Sequence, residues 1–147
     1  MSSFSLRASC ADDAPFSLAL TEATGRPLLE ALGKTWSATK MQRKCAVDAA
    51  DLNTRIVQVD GRDVGVFGMH TAGDGVWLDL LFLDETAQHQ GIGRALVERV
   101  KSEARSLGMP VRLHVMRNSP AVGFYEHLGF VVYGELDPLT VNMQWPD

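Results

Sequence analysis

Hydrophobic and polar positions in the middle of the chain follow the two-residue period that indicates β-strands. Arg55–Val59 and Val64–His70 are two predicted strands, joined by Asp60-Gly61. An Asp-Gly pair favours the type I′ hairpin turn, because both central residues of that turn need positive φ. Val76–Leu83 is almost entirely apolar, with Asp79 as the exception. Such a run predicts a strand that is covered on both faces.

Two later segments repeat their apolar residues at helical spacing instead. The first predicted helix begins at Gly91 and ends before Gly108 and Pro110. One stripe of it is apolar: Ile92, Leu96, Val100, Ala104 and Leu107. The second begins at Ser119-Pro120, an N-cap followed by proline at the first helical position, and closes at Gly129. Its helical repeat comprises Ala121, Phe124, Tyr125 and Leu128.

Three further strands are predicted in this half of the chain. Val111–Met116 lies between the two helices, and Phe130–Tyr133 follows the second helix before a turn at Gly134–Pro138. The chain then ends in strict alternation, which predicts a half-buried last strand. Its apolar positions are Leu139, Val141, Met143 and Trp145.

The first 50 residues carry weaker signals. Phe4–Ala8 predicts a first strand, whereas Ala11–Ala23 and Pro27–Met41 predict two or three short helices, broken at Gly25-Arg26-Pro27 and Gly33. The resulting order is a strand, helices, a three-stranded meander and two strand–helix–strand units. This order predicts one α/β domain over residues 1–147, with a mixed sheet and helices on both faces.

Composition favours an intracellular globular domain. Hydrophobic residues make up 46% of the 147 residues and charged residues 22%, which excludes a disordered chain. No apolar run approaches the ~20 residues that span a bilayer, and the N-terminus lacks a secretory pattern. The net charge of -4 argues against a nucleic-acid binder. Cys10 and Cys45 do not have metal-ligand spacing, so we expect reduced thiols, no metal and a cytoplasmic location.

The loop that precedes the first long helix has the features of an anion site. Gly91 and Gly93 open that helix, whose unpaired N–H groups and dipole favour negative charge. Glycine also lets an anion approach the backbone closely. The pattern matches neither the Rossmann fingerprint nor a P-loop. The loop therefore predicts a phosphate site, and glycines needed only for packing are the alternative.

Three stretches make a family resemblance specific. Gln88-His89-Gln90-Gly91-Ile92-Gly93 resembles the Gln/Arg-x-x-Gly-x-Gly/Ala motif with which the GNAT family of N-acetyltransferases binds the pyrophosphate of acetyl-coenzyme A. Asn118-x-x-Ala121-x-x-Phe124-Tyr125-x-x-x-Gly129-Phe130 resembles the second signature of that family. Met143-Gln144-Trp145 is similar to the ending of many small bacterial members.

The resemblance implies a fold and a site for acetyl-coenzyme A. The sheet of this family is mixed and mostly antiparallel, has helices on both faces, and splays between the strand ending at Leu83 and the strand starting near Val111. The pantetheine arm would pair with the backbone of Leu81, Phe82 and Leu83, and Asn118 matches a residue that contacts this arm. The glycine loop would hold the diphosphate, so the implied contacts there are Gln88, His89, Gln90, Gly91, Ile92, Gly93, Arg94 and Ala95.

The resemblance also implies a general acid, whereas the base stays open. Tyr125 matches the acid of the family, which assists the departing sulfur. Asp79 is the best candidate for the base, because one charge in an apolar strand is costly to bury without a partner. A structural hydrogen-bond partner is the alternative role for this carboxylate. His70, His114 or a water chain could relay the proton instead, and Trp36 is a candidate for lining the acceptor pocket.

These expectations describe an acetyl-coenzyme A-dependent N-acetyltransferase that acts by direct attack in a ternary complex. The acceptor would be a primary amine of a small molecule or a peptide, with no nucleic-acid or membrane partner. A non-catalytic acyl-coenzyme A sensor or scaffold is the alternative, and a nucleotide-phosphate binder is a third hypothesis. Asn118 and Tyr125 favour the enzyme, because a pure binder needs no acid. The sequence leaves the identity of the acceptor and the formation of a homodimer open.

Overall fold

The computed structural model describes residues 3–146, and the elements follow the predicted order. The strands are β1 (Ser5–Ala8), β2 (Thr54–Val59), β3 (Arg62–Ala72), β4 (Gly75–Leu83), β5 (Val111–Met116), β6 (Val131–Asp137) and β7 (Thr140–Trp145). The helices are α1 (Ala14–Ala31), α2 (Ala38–Ala50), α3 (Ile92–Leu107) and α4 (Ala121–His127). Short 3₁₀ turns at Ala11–Asp13 and Glu85–Ala87 precede α1 and α3.

The strands form a mixed sheet in the order β1-β2-β3-β4-β5-β7-β6. The pairs β1 with β2, β2 with β3, β5 with β7 and β6 with β7 are antiparallel, whereas β4 and β5 are parallel. The predicted α/β class with a mostly antiparallel sheet is therefore confirmed. The parallel ladder joins the beginnings of its two strands, Val76 to Val111 and Trp77 to Arg112, and β5 pairs with β7 along its whole length.

The chain divides into two compact units. Unit 1 comprises Met1–Gly68 and Leu80–Gly93, and unit 2 comprises Met69–Asp79 and Arg94–Asp147. The core of unit 1 is formed by Leu20, Ile56, Val66 and Leu80, with Phe16 and Phe82 packed against it. The buried residues of unit 2 include Leu96, Val100, Ala104, Leu113 and Met143. That residues 1–147 act as a single domain stays a prediction.

Helix α1 shows that the predicted break at Gly25-Arg26-Pro27 is wrong, since the helix runs through it with Pro27 inside. Arg26 bridges Glu22 at 2.7 Å and Glu30 at 3.4 Å, one turn away on either side. Such exposed pairs stabilise a helix by less than an interior proline costs. Packing of the apolar face of α1 in unit 1 must therefore supply the rest.

The second N-terminal helix also differs from the prediction of Pro27–Met41. Gly33 does end the first helical stretch, with a φ of 76° that suits glycine. Ser37 then caps α2, because its side chain accepts a hydrogen bond from the backbone N–H of Lys40 at 3.3 Å. Helix α2 runs from Ala38 to Ala50, well past Met41.

Two details of the C-terminal half differ from the prediction. Leu107 was expected on the buried stripe of α3 but is 46% exposed, because the helix ends at this residue. The turn predicted at Gly134–Pro138 is shorter, since β6 continues to Asp137. The carboxylate of Asp137 accepts a hydrogen bond from the backbone N–H of Leu139 at 2.8 Å, which closes the tighter turn.

Candidate active site

The glycine loop of unit 1 connects β4 to α3 and is held in shape by its own side chains. The hydroxyl of Thr86 donates to the carboxylate of Asp84 at 2.5 Å. Gln88 Nε2 donates to the carbonyl of Leu83 at 2.9 Å, and Gln90 Nε2 donates to the carbonyl of Thr86 at 2.5 Å. Both glutamine side chains thus bond to backbone carbonyls four or five residues earlier in the chain, which restrains the loop.

The backbone of this loop fits an anion. His89 and Gly91 have positive φ angles of 60° and 81°, and such left-handed residues help turn successive N–H groups into a concave site. Helix α3 begins at Ile92, so the N–H groups of its first turn have no partner within the helix and its dipole favours negative charge. The residues predicted to hold the diphosphate therefore fit that group through backbone donors.

Strand β4 is not covered on both faces, contrary to the prediction from its apolar sequence. Leu80 is buried, whereas Asp79 is exposed and Leu81, Phe82 and Leu83 are half-buried. Hydrophobicity alone misleads here, because half-buried apolar residues look the same in a sequence as residues that face a core.

Asp79 and His70 form a pair in unit 2. Asp79 Oδ2 lies 2.6 Å from His70 Nδ1, and the two side chains are 42% and 44% exposed. The turn between β3 and β4 folds β4 back beside β3 and so brings these positions together. From the sequence, the two residues are alternative candidates for the base. In the structure, their side chains are in contact.

Aromatic and polar side chains of unit 2 form a second cluster, which was not predicted from the sequence. The indole of Trp77 donates to Asp74 at 3.0 Å, and this hydrogen bond holds the pKa of the Asp74 carboxyl below its usual range. The Trp77 ring lies 4.9 Å from that of His114, and His114 Nδ1 lies 2.6 Å from Asn142 Oδ1. His114 lies directly opposite Asn142 in the β5–β7 ladder, a register that no local pattern reveals.

Tyr125 lies on the buried side of α4, as predicted. Its side chain packs edge-on against Phe130, with ring centroids 5.5 Å apart. Burial raises the pKa of the Tyr125 hydroxyl well above its ordinary value, so the phenol keeps its proton at neutral pH. Asn118 is half-buried just after β5. Ser119 Oγ accepts from the backbone N–H of Ala121 at 3.0 Å, and the helix begins one residue later than predicted.

The residues predicted for the site belong to both units. Unit 1 contains Leu81–Leu83 and the loop from Gln88 to Gly93. Unit 2 contains Asp79, Arg94, Ala95, Asn118 and Tyr125. No three His, Cys, Asp or Glu side chains within residues 3–146 cluster as metal ligands. Within the same range, every helix is too short or too polar to cross a membrane.

Comparison with known proteins decides the family. A family model described as an acetyltransferase (GNAT) domain matches residues 50–132, which include the glycine loop and Tyr125. The chain belongs to the GNAT acetyltransferase family. The resemblance found in the sequence motifs is thereby confirmed.

Two curated relatives match part of this GNAT chain in sequence. Acetyltransferase Atu2258 of Agrobacterium fabrum is 34% identical over 93 residues, which cover 63% of this chain and 68% of that protein. Peptidyl-lysine N-acetyltransferase YjaB of Escherichia coli is 40% identical over 90 residues, which cover 61% of this chain and 58% of that protein. The matched segment thus spans less than two thirds of YjaB.

Solved structures match over nearly the whole length of this GNAT chain. The solution structure of the apo-form of YjaB from Escherichia coli has a TM-score of 0.70 at 26% identity and covers 98% of both chains. The crystal structure of the PaiA N-acetyltransferase from Thermoplasma acidophilum, in complex with coenzyme A, has a TM-score of 0.72 at 17% identity. It covers 97% of this chain and 98% of PaiA, and at that identity it shows the fold alone.

Proposed function

We propose that this GNAT acetyltransferase moves the acetyl group of acetyl-coenzyme A to a primary amine of a small molecule or a peptide, by direct attack in a ternary complex. The backbone of the glycine loop carries the proposal, because positive φ at His89 and Gly91 precedes the N-terminus of α3. The coenzyme A complex of PaiA supports the choice of donor. Because the relative YjaB is described as a peptidyl-lysine N-acetyltransferase, a peptide lysine is the first acceptor to test.

Each candidate side chain has a role in this proposal. The backbone of Leu81–Leu83 pairs with the pantetheine arm, and Asn118 contacts the same arm. Tyr125 donates a hydrogen bond to the departing sulfur. Full proton transfer to a thiolate, whose acid has a pKa of ~8.5, is uphill even from an ordinary phenol of pKa ~10, and burial raises the pKa of Tyr125 further. A hydrogen bond that strengthens as the sulfur leaves is therefore the better role. The role of base belongs to the pair of His70 and Asp79.

One substitution and its matched control test the loop. Gly91→Ala places a side chain at a φ of 81°, and we expect it to abolish the rise in melting temperature that coenzyme A causes in the wild type. Gly108→Ala, at the other end of α3, has a φ of 65° and open space around its new Cβ. It carries similar backbone strain and should keep the rise. The full rise in Gly91→Ala would contradict the loop as the diphosphate site.

Turnover separates the enzyme from an acyl-coenzyme A sensor. We expect thiol release from acetyl-coenzyme A to depend on the amine when the protein meets a panel that includes a lysine peptide. Coenzyme A binding without thiol release for any amine in the panel would favour the non-catalytic sensor instead.

A further inference from the structure

We infer that His70 is the general base of the proposed acetyl transfer and that Asp79 is a positioning residue that acts through it. The inference rests on the proposed function and replaces the choice of Asp79 as the base. It is carried by the 2.6 Å contact between Asp79 Oδ2 and His70 Nδ1, formed by two exposed side chains of β4 and β3.

The reaction needs a base because the acceptor must lose a proton before it attacks. An amine with the ordinary lysine pKa of ~10.4 is neutral in only about one molecule in a few thousand at pH 7. An ordinary aspartic acid is more acidic than that ammonium group by about six pKa units, and an ordinary imidazolium by about four. Imidazole is therefore the better matched proton acceptor of the two side-chain types.

The contact with Asp79 decides which nitrogen of His70 can take the proton. An ionised carboxylate only accepts hydrogen bonds, so Nδ1 carries the N–H and donates it to Asp79. The neutral ring then has its lone pair on Nε2, on the opposite side of the ring. The side chain is 44% exposed, so the ring is accessible to an amine from solvent. Once Nε2 is protonated, the negative charge of Asp79 stabilises the imidazolium.

The other histidines lack this arrangement within residues 3–146. His114 contacts the amide of Asn142 and the ring of Trp77, and a neutral amide supplies no charge to stabilise an imidazolium. His89 lies in the glycine loop, and His127 is exposed in the last turn of α4. His70 is thus the histidine whose surroundings match those of a base.

The proposed steps balance in protons and electrons. Nε2 of His70 takes one proton from the acceptor ammonium, and the neutral amine forms a C–N bond to the thioester carbonyl. The C–S bond breaks with its electron pair on sulfur, which receives the hydrogen bond of Tyr125. The second proton lost by the nitrogen passes to the sulfur, and His70 returns its proton to solvent. One ammonium and one acetyl-coenzyme A give one acetamide, one thiol and one proton.

Substituting the two residues singly and together tests this inference. His70→Gln should lower kcat by ~10² to 10⁴, the usual size of general base catalysis, and leave the KM for acetyl-coenzyme A and the coenzyme A-induced rise in melting temperature unchanged. His127→Gln makes the same change at the exposed end of α4 and should keep the wild-type kcat. Asp79→Asn should lower kcat when His70 is present. It should cause no further loss in the His70→Gln background, because the carboxylate acts through the imidazole.

Chemical rescue adds a readout that a structural defect does not give. In His70→Ala, added imidazole should restore part of the lost rate. If the wild type is active and His70→Gln has the same kcat, the inference is overturned but the proposed function is not. A loss from Asp79→Asn that is equally large in both backgrounds would show that Asp79 does not act through His70 and would overturn the inference. A folded wild type that releases no thiol with any amine would overturn the proposed function and the inference with it.

Discussion

Burial keeps the hydroxyl of Tyr125 protonated, so this group can donate a hydrogen bond. Replacing the tyrosine with phenylalanine removes that donor. Tyr125→Phe keeps the ring and its edge-on contact with Phe130, so packing should survive. We expect kcat to fall by at most ~10² to 10⁴, and by less with an acyl donor whose thiol has a lower pKa, since a good leaving group needs less help. Rates of thiol release with the two donors measure this.

The matched control is Tyr133→Phe, which makes the same change at an exposed position of β6 and should leave kcat unchanged. Equal losses with both donors in Tyr125→Phe would return Tyr125 to a role in packing.

Single residues were predictable where their own chemistry and helical position suffice. The burial of Tyr125 follows from the apolar repeat of α4, and the start of α3 beside Gly91 follows from the change to helical spacing there. The contact between His70 and Asp79 was not predictable in this way. It depends on how the turn before Gly75 sets β4 against β3, and a shift of one residue would move one partner to the other face of the sheet.

At the scale of elements, α3 holds the end of α4 through one buried lysine. Lys101 Nζ donates to the carbonyl of Leu128, directly after α4, and lies 4.7 Å from the ring centroid of Trp145. Lys101→Met keeps an unbranched side chain but removes the donor. We expect the free energy of unfolding to fall by about 1 to 3 kcal/mol, because a carbonyl in a buried contact loses its partner.

Urea unfolding of Lys101→Met and of Arg105→Met checks this expectation. Arg105 is exposed and lies 4.9 Å from the same Trp145 ring, so its loss should cost about 0.5 to 1 kcal/mol, as for an exposed cation–π contact. Losses of equal size in the two variants would mean that the hydrogen bond to Leu128 contributes nothing of its own.

Elements were predictable where one periodic pattern dominates the segment. Helix α3 has such a pattern, and Ile92, Leu96, Val100 and Ala104 are all buried as expected. Helix α1 does not, because Gly25 and Pro27 signal a break that packing overrides. The place of β5 beside β7 was not predicted, since local patterns do not encode which strands become neighbours.

At the scale of the whole molecule, one ion-paired cluster predicts how stability depends on pH. Arg7 of β1 contacts Asp13 at 2.7 Å and Asp63 at 2.9 Å. The guanidinium lowers the pKa of Asp13 from 3.8 to about 2. The folded state therefore binds a proton less readily than the unfolded chain. This contribution is fully present above the unfolded-state pKa and is lost as the pH falls through the folded-state value.

Asp13→Asn should flatten the acid branch of the stability curve. We expect the free energy of unfolding of this variant to change less than that of the wild type between about pH 5 and about pH 2. Asp12→Asn, at the exposed neighbouring position, should keep the wild-type slope. A wild-type slope in Asp13→Asn over this window would show that the contact with Arg7 does not stabilise the fold.

The family of the molecule was predictable from motifs, whereas its acceptor was not. The glycine loop and the second signature lie within the matched domain, residues 50–132. Trp36, the residue predicted to line the acceptor pocket, lies in the connection between α1 and α2, where the local sequence signals are weak. The predictions for both α1 and α2 needed correction, and the turn after β6 is shorter than expected.

The transfer of an acetyl group to an amine is tested most directly by mass spectrometry of a lysine peptide and of small amines after incubation with acetyl-coenzyme A. Thiol release is followed in the same reactions. We predict at least one acceptor that gains a single acetyl group, with one thiol released for each amide formed. A folded protein that binds coenzyme A but acetylates none of these amines would contradict this function.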